Sequence, residues 1–147
     1  MAWILLPIAF IAGVAFAVQF GVNAQLSNFI GSPLAAATVS FWVGAVALLA
    51  VSLIGRQPLP LGNTVTEAPW WTWTGGMLGA FVVVSSIILV PKIGAAATIG
   101  LVLAGQVVAS IIIDHLGLLR VPVHELTAPR IVGAALIIAG VVLVQRF

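Results

Sequence analysis

Amide and hydroxyl side chains recur at a four-residue spacing in two apolar segments of this chain. Gln19 and Asn23 are four residues apart in the first, and Gln106, Ser110 and Asp114 repeat the spacing in the second. Residues four apart share one face of an α-helix, and amides that face lipid lack hydrogen-bond partners. Such a face either lines a path for a polar substrate or ties helices together by hydrogen bonds, and the spacing leaves both interpretations open.

Ser40 and Trp42 are two further residues with a possible role in ligand binding. The hydroxyl of Ser40 either contacts a substrate or bonds to its own helix four residues back. Trp42 lies near the centre of its apolar segment, whereas tryptophans usually lie at the headgroup level. It either packs against other helices or offers a stacking or cation–π surface to a ligand. The candidate substrate-binding residues are therefore Gln19, Asn23, Ser40, Trp42, Gln106 and Ser110.

The residues needed for catalysis or for metal binding do not occur together in this sequence. No nucleophile has a base beside it, and there is no phosphate-binding glycine loop and no closely spaced pair of carboxylates. The chain has no cysteine, and His115 and His124 are not at a metal-ligand spacing. We therefore expect neither an enzyme, nor a metal site, nor a cofactor.

The composition places the chain in a membrane. Of its 147 residues 63% are hydrophobic and only 5% are charged, against roughly half and a quarter in an ordinary globular domain. Five basic and three acidic residues give a net charge of only +2, so no basic patch exists to bind nucleic acid. These values predict an all-α integral membrane protein whose main partner is the lipid bilayer.

Five apolar segments are long enough to cross a membrane, which takes about 20 residues each. They predict helices over approximately residues 3–22, 33–54, 70–90, 94–113 and 129–144, in a single five-helix membrane domain that spans residues 1–147. The polar stretch after the first helix is compatible with a helix that continues to Phe29. Ser32 and Pro33 are typical of a helix start, where the serine caps free amides. Pro91 predicts the end of the third helix, because its ring disfavours helical geometry in the residue before it.

Small residues one helical turn apart predict two sites of close helix packing. Gly75 and Gly79 form one pair on the third segment, and Gly100 and Ala104 form another on the fourth. Pairs of this kind let another helix backbone approach closely. The contact is either within one protomer or between subunits, and the pattern does not decide which.

The basic residues are almost evenly divided between the two sides of the membrane. Five spans place the termini on opposite sides, so Arg56, Arg120 and Arg130 share the side of the N-terminus, opposite Lys92 and Arg146. Basic residues decide which loops remain cytoplasmic, and a near tie predicts insertion in both orientations. The alternative is that Arg56 or the α-amino group fixes a single orientation.

The chain resembles the YdcZ-type membrane proteins over nearly its full length. The motifs that carry the resemblance are Gly21-Val22-Asn23-Ala24-Gln25-Leu26, Gly31-Ser32-Pro33 followed by Ser40-Phe41 and Gly44, Gly75-Gly76 through Gly79-Ala80-Phe81, Lys92-Ile93-Gly94-Ala95, Ala104-Gly105-Gln106 with Ser110, and Ile113-Asp114-His115 with Gly117. This resemblance implies membership of the drug/metabolite transporter superfamily and a multi-pass location in a prokaryotic inner membrane. It also implies pairing with a second copy, or with an oppositely oriented relative, as an antiparallel dimer of ten helices.

These observations lead to a hypothesis of transport. We expect a small-molecule transporter that works by alternating access as an antiparallel dimer, with a central cavity lined by the first and fourth segments. Its substrate would be a small polar or cationic solute. The small multidrug resistance proteins of the same superfamily use a glutamate in their first helix, where this chain offers only Gln19 and Asn23, so their proton exchange does not carry over. The alternatives are a dual-topology ion channel and a non-transporting membrane interaction subunit.

Overall fold

The structure is a computed structural model that describes residues 2–57 and 67–146, and within those residues the regular elements are all helices. Short 3-10 helices at Trp70–Thr74 and Leu118–Arg120 flank some of the longer ones. In chain order the α-helices are α1 (Ala2–Ile30), α2 (Pro33–Ile54), α3 (Gly75–Ile93), α4 (Ala95–Leu116) and α5 (Ala128–Arg146).

Within the described residues, five helical segments are long and apolar enough to cross a membrane. The spans have 19 to 26 residues, and only 6% to 17% of the most apolar stretch of each is buried inside the chain. Most of their apolar side chains therefore face outward, which is favourable only where the surrounding medium is itself apolar. The predicted all-helical fold with five membrane spans is confirmed.

Several helix ends differ from the predicted ones. The predicted stop of the third helix at residue 90 is wrong, because α3 continues through Pro91 to Ile93. A proline so close to the C-terminal end removes only one backbone hydrogen bond, and a helix can tolerate that loss. The helix ends instead at Gly94, where φ is +84°. The first segment continues past residue 22 to Ile30, one residue beyond the longer end that the sequence allowed, and Trp70–Thr74 forms a 3-10 helix before α3 begins.

A two-residue turn makes α1 and α2 antiparallel neighbours. Gly31 adopts a φ of +79°, a conformation open to glycine but strained for other residues, and its amide donates to the Ser27 carbonyl at 2.8 Å. The hydroxyl of Ser32 accepts a hydrogen bond from the amide of Ala35 at 3.3 Å. The predicted serine cap on the second helix is confirmed, and it fixes where α2 begins relative to α1.

The chain forms two compact units, one up to Lys92 and the other from Ile93 onward. In the first unit, α2 and α3 share a small buried core of Ala36, Ala37, Val83 and Ile87, with Leu26 of α1 packed against it. In the second unit, α4 packs against α5, and Val141 of α5 is buried. The α2 side of this core consists of two alanines, and the closely packed helix pair of the first unit is α1 with α2.

The glycines predicted to mediate packing have different surroundings. A Cβ added at Gly100 would lie 3.1 and 3.2 Å from the two methyl groups of Val141, so α4 and α5 cross tightly there. One added at Gly79 would lie 3.5 Å from the Phe41 ring, an ordinary van der Waals distance. At Gly75 it would meet nothing within 4 Å. Ala104 of α4 is half-buried.

Candidate functional site

A pocket between α1 and α2 contains two of the predicted substrate-binding side chains. Its volume is about 300 Å³, at the lower end of the range typical of small-molecule sites. We call it the amide pocket. It is lined by Gln19 of α1 and by Ser40, Phe41, Gly44, Ala45 and Leu48 of α2.

The amide pocket lies near the middle of its two helices. Gly44 is close to the midpoint of α2, which runs from Pro33 to Ile54 over 22 residues. Gln19 is likewise near the middle of the apolar span Leu5–Ile30. At a rise of 1.5 Å per residue, Gly44 is roughly 16 Å from either end of α2. The polar atoms of Gln19 and Ser40 are thus placed far from both ends of an otherwise apolar hairpin.

Asn23 lies on α1 one turn beyond Gln19, toward the connection to α2. Its side chain is only 3% exposed. Among the described residues, its amide nitrogen is the buried side-chain polar atom that has no hydrogen-bond partner. Burying such a donor unpaired costs about 1–3 kcal/mol. Buried hydroxyls elsewhere avoid this cost by bonding to their own helices, as Ser86 does with the carbonyl of Val83 at 2.7 Å.

Trp42 lines a second and larger space on the other side of Phe41. This groove, between α2 and α3, has a volume of about 430 Å³ and is lined almost entirely by apolar side chains. Its wall includes Thr38 and Trp42 of α2 and Ala80 of α3, and it shares Phe41 with the amide pocket. The indole of Trp42 is 69% exposed. The groove therefore offers an aromatic surface but few hydrogen-bonding groups.

The polar residues of α4 belong to the second unit. Gln106 and Ser110 are both exposed on this chain. The hydroxyl of Ser110 donates to the carbonyl of Val107 at 2.9 Å and is satisfied by its own helix. The structure thus brings together Gln19 and Ser40 in one pocket and places Trp42 in the neighbouring groove. Whether Gln106 and Ser110 contact a substrate stays a prediction.

An ion pair at the ends of α4 and α5 was not predicted from the sequence. The carboxylate of Asp114 accepts a hydrogen bond of 2.5 Å from the guanidinium of Arg130. The same arginine donates to the carbonyl of His124 at 3.3 Å, and the amide of His124 donates to the carbonyl of Asp114 at 3.0 Å. The sequence feature that could have predicted this ion pair is the presence of opposite charges at the end of α4 and the start of α5, which a short loop joins. The network closes the loop between the two helices.

The described residues contain no cluster of three or more histidine or acidic side chains that could hold a metal ion. The only polar groups of the amide pocket are a carboxamide and a hydroxyl, which are poor metal ligands compared with carboxylates and imidazoles. What this arrangement does offer is hydrogen bonding, from Gln19 and Ser40, inside an apolar wall.

Comparison with known proteins gives a match over almost the whole chain. Residues 4–143 match the model of a protein family described as "Putative inner membrane exporter, YdcZ". The inner membrane protein YdcZ of Escherichia coli (strain K12) is 31% identical over 143 residues, which cover 96% of this chain and 95% of that relative. No solved structure gives a significant match.

Proposed function

From the premise that this chain belongs to the YdcZ family of inner membrane proteins, we propose that it is a small-molecule transporter that works by alternating access as an antiparallel dimer. Its family is described as one of exporters, which agrees with transport but names neither substrate nor mechanism. The observation that carries the proposal is the amide pocket in the middle of the α1–α2 hairpin. It lies one turn from Asn23, whose buried amide nitrogen has no partner among the described residues.

The location of the protein follows directly from the comparison and from the helices. The relative is an inner membrane protein, and the described residues include five helical spans. The chain is therefore a multi-pass inner membrane protein, as the resemblance in its sequence implied. The family resemblance itself is confirmed as well.

A site near the middle of the spans supports transport over a role as a passive structural subunit. Transporters with inverted repeats bind substrate near the bilayer midplane, at the interface of the repeats. The position of the amide pocket near the middle of α1 and α2 supports such a site. Phe41 in its wall is exposed, which agrees with a pocket that a second subunit helps to enclose.

The antiparallel arrangement is supported by the charges at the helix ends. Three arginines (Arg56, Arg120 and Arg130) oppose Lys92 and Arg146, a difference too small to impose one orientation. Two identical halves in opposite orientations can exchange conformations, which converts an inward-open dimer into its outward-open mirror image. No separate gate is then required.

Orientation can be measured cleanly because the chain contains no cysteine. Gln57→Cys and Gln145→Cys place single thiols at exposed positions near opposite helix ends. In intact spheroplasts, a membrane-impermeant maleimide should label each variant partially, to about half, if both orientations exist. Complete labelling of one variant and none of the other would overturn the antiparallel homodimer and favour pairing with an oppositely oriented relative.

Transport itself is tested in proteoliposomes loaded with a panel of small polar and cationic solutes. We expect saturable uptake of at least one solute, reduced about tenfold by Asn23→Leu and by Gln19→Leu, since each substitution removes a hydrogen bond worth about 1.4 kcal/mol. Gln25→Leu is the matched control, because Gln25 is an exposed amide on the same helix.

Two outcomes would contradict the proposal. Turnover far above roughly a thousand per second would favour an ion channel, because alternating access depends on microsecond to millisecond motions. Absence of uptake for every solute, by a purified protein that forms a stable dimer, would favour an interaction subunit.

A further inference from the structure

The charge and shape of the amide pocket restrict the solutes that it can bind. On the basis of the transport function proposed above, we propose that the substrate is a small neutral molecule with a hydrogen-bonding end and a flat apolar body. A primary amide carried on an aromatic ring has this chemistry. Three features of the first unit support the proposal: its lack of charge near the pocket, its unpaired amide, and the small residues in its wall.

The first feature is the distribution of charge. In the described part of the first unit the charged side chains are Arg56, Glu67 and Lys92, and neither α1 nor α2 contains any of them. Arg56 is twelve residues from Gly44, roughly 18 Å at 1.5 Å per residue. An ion leaves water for an apolar site only where an opposite charge compensates the lost hydration. Because a second copy of the chain would contribute equally uncharged α1 and α2 helices, a neutral solute is favoured.

The second feature is the set of hydrogen-bonding groups. The Gln19 carboxamide and the Ser40 hydroxyl can each donate and accept, and both line the pocket. One turn away, the amide nitrogen of Asn23 is buried and has no partner among the described residues. Asn23 itself does not line the pocket and is only 3% exposed, so a solute oxygen reaches this nitrogen only after the side chains around it move. Such a contact would remove the cost of leaving the nitrogen unpaired. The groups thus suit a solute that carries an accepting oxygen beside a donor.

The third feature is the apolar wall. Phe41 and Leu48 provide bulk, whereas Gly44 and Ala45 leave space between them. A Cβ added at Gly44 would meet nothing within 4 Å, so the volume beside this turn is open. A flat ring placed there can lie offset against Phe41, the arrangement that aromatic pairs prefer. The wall therefore favours a flat body over a bulky one.

Three probes of equal shape and different charge test the proposal. Benzamide, benzoate and benzamidinium share a ring and a planar head group, and at neutral pH they are neutral, anionic and cationic. Binding to the purified full-length protein in detergent micelles is measured by titration calorimetry. We expect the protein to bind benzamide at least tenfold more tightly than either ion.

Substitutions then assign the binding to the amide pocket. Gly44→Leu fills the open space without a clash and should weaken benzamide binding at least tenfold, whereas Gly13→Leu, at an exposed glycine of α1 with equally open surroundings, should leave it unchanged. Partition of benzamide into the micelles is the same for both variants, so it cannot produce this difference. Gln19→Glu introduces a carboxylate and should shift the preference from benzamide to benzamidinium.

The outcomes separate the substrate class from the transport function. Tighter binding of benzamidinium or benzoate to the unmodified protein overturns the neutral substrate, and if that binding is lost in Gly44→Leu, the pocket and the transport proposal stand. Failure of the unmodified protein to bind any of the three probes also overturns the assignment. The solute uptake described above then decides separately whether the protein transports at all.

Discussion

The two units of the chain differ in one buried polar side chain. In the unit from Ile93 onward, Asp114 is paired with Arg130, and the buried Thr98 hydroxyl donates to the carbonyl of Gly94 at 2.8 Å. In the unit up to Lys92, the amide nitrogen of Asn23 is buried and has no partner among the described residues. The first unit thus holds a buried hydrogen-bonding group without a partner in the C-terminal half of α1. The polar groups named in the second unit are satisfied, and its ion pair lies at helix ends.

This difference separates the groups that stabilise the structure from those available to a ligand. A buried donor without a partner lowers stability by about 1–3 kcal/mol, and such groups in native proteins call for an explanation such as a role in function. A satisfied pair needs no other role than holding its helices together. We therefore expect the α1–α2 hairpin to take part in recognition of a solute and the Asp114–Arg130 pair to support the α4–α5 hairpin. Substitutions in both units test this expectation.

The largest effect is expected where the second unit packs most tightly. Gly100→Leu forces side-chain atoms against Val141, whose methyl groups would already be 3.1 and 3.2 Å from an added Cβ. Overpacking of this kind should lower the free energy of unfolding by roughly 2–3 kcal/mol, measured by SDS-induced unfolding in mixed micelles.

Gly105→Leu is the control for that substitution, because a Cβ at Gly105 of the same helix would meet nothing within 4 Å. Combining Gly100→Leu with Val141→Ala should restore part of the loss, since the two residues are in contact. Equal destabilisation by both leucine substitutions would show that the α4–α5 crossing is not the source of the effect.

Breaking the ion pair of the second unit should have the next largest effect. Asp114→Ala removes the acceptor of the Arg130 guanidinium and leaves that cation unpaired. The two side chains are 36% and 23% exposed, so solvent screens them partly and the loss should be about 1–2 kcal/mol. Glu125→Ala, at an exposed acid in the same loop, should change the free energy of unfolding by less than about 0.5 kcal/mol. Equal effects of the two substitutions would remove the structural role of the pair.

Much of the fold could be predicted from the sequence, because five long apolar segments with hardly any charge have no stable arrangement except as membrane-spanning helices. The end of α3 could not, since the rule for the residue before a proline is weaker than the hydrogen bonding of an established helix. At Pro91 only one bond is lost, and α3 ends at Ile93, before Gly94.

The site could be predicted residue by residue but not as an arrangement. Gln19 and Ser40 stand out as polar residues in apolar segments, yet their meeting in one pocket depends on the register that the turn at Gly31 sets between α1 and α2. For Gln106, the four-residue spacing defines a shared helix face without defining what that face contacts. The pairing of Asp114 with Arg130 could not be predicted from the number of basic residues on each side of the membrane. That number does not tell which helix ends lie next to each other.

In the first unit, substitution of Asn23 is expected to increase the free energy of unfolding, in contrast to the substitutions in the second unit. Asn23→Leu replaces an unpaired buried amide with an apolar side chain of similar size, and should raise the free energy of unfolding by about 1 kcal/mol. The same substitution should reduce solute uptake about tenfold, through the loss of one hydrogen bond. Asn28→Leu, at an exposed amide of α1, is the control of Asn23→Leu for added hydrophobicity. For comparison, Thr98→Val in the second unit removes a satisfied hydroxyl and should lower the free energy of unfolding by about 1 kcal/mol. A clear loss of stability in Asn23→Leu would mean that the amide already has a structural partner.

The smallest effect is expected at Gly79, where the first unit packs less tightly than the second. A Cβ there would lie 3.5 and 3.8 Å from the Phe41 ring, so alanine fits without strain. Because alanine has a higher helix propensity than glycine, Gly79→Ala should raise the free energy of unfolding by about 0.5 kcal/mol. Gly100→Ala should lower it, because its Cβ would lie only 3.1 Å from Val141.

The neighbouring Gly75 turns this small effect into a test of where α3 meets another subunit. A Cβ at Gly75 would meet none of the described residues within 4 Å, in contrast to one at Gly79. If the glycine pair serves a subunit interface, Gly75→Ala should weaken dimerisation in dilution series while Gly79→Ala leaves it unchanged, because Gly79 is already covered by Phe41. Equal dimerisation of both variants would confine the pair to packing within one protomer, and the antiparallel dimer would then need a different face.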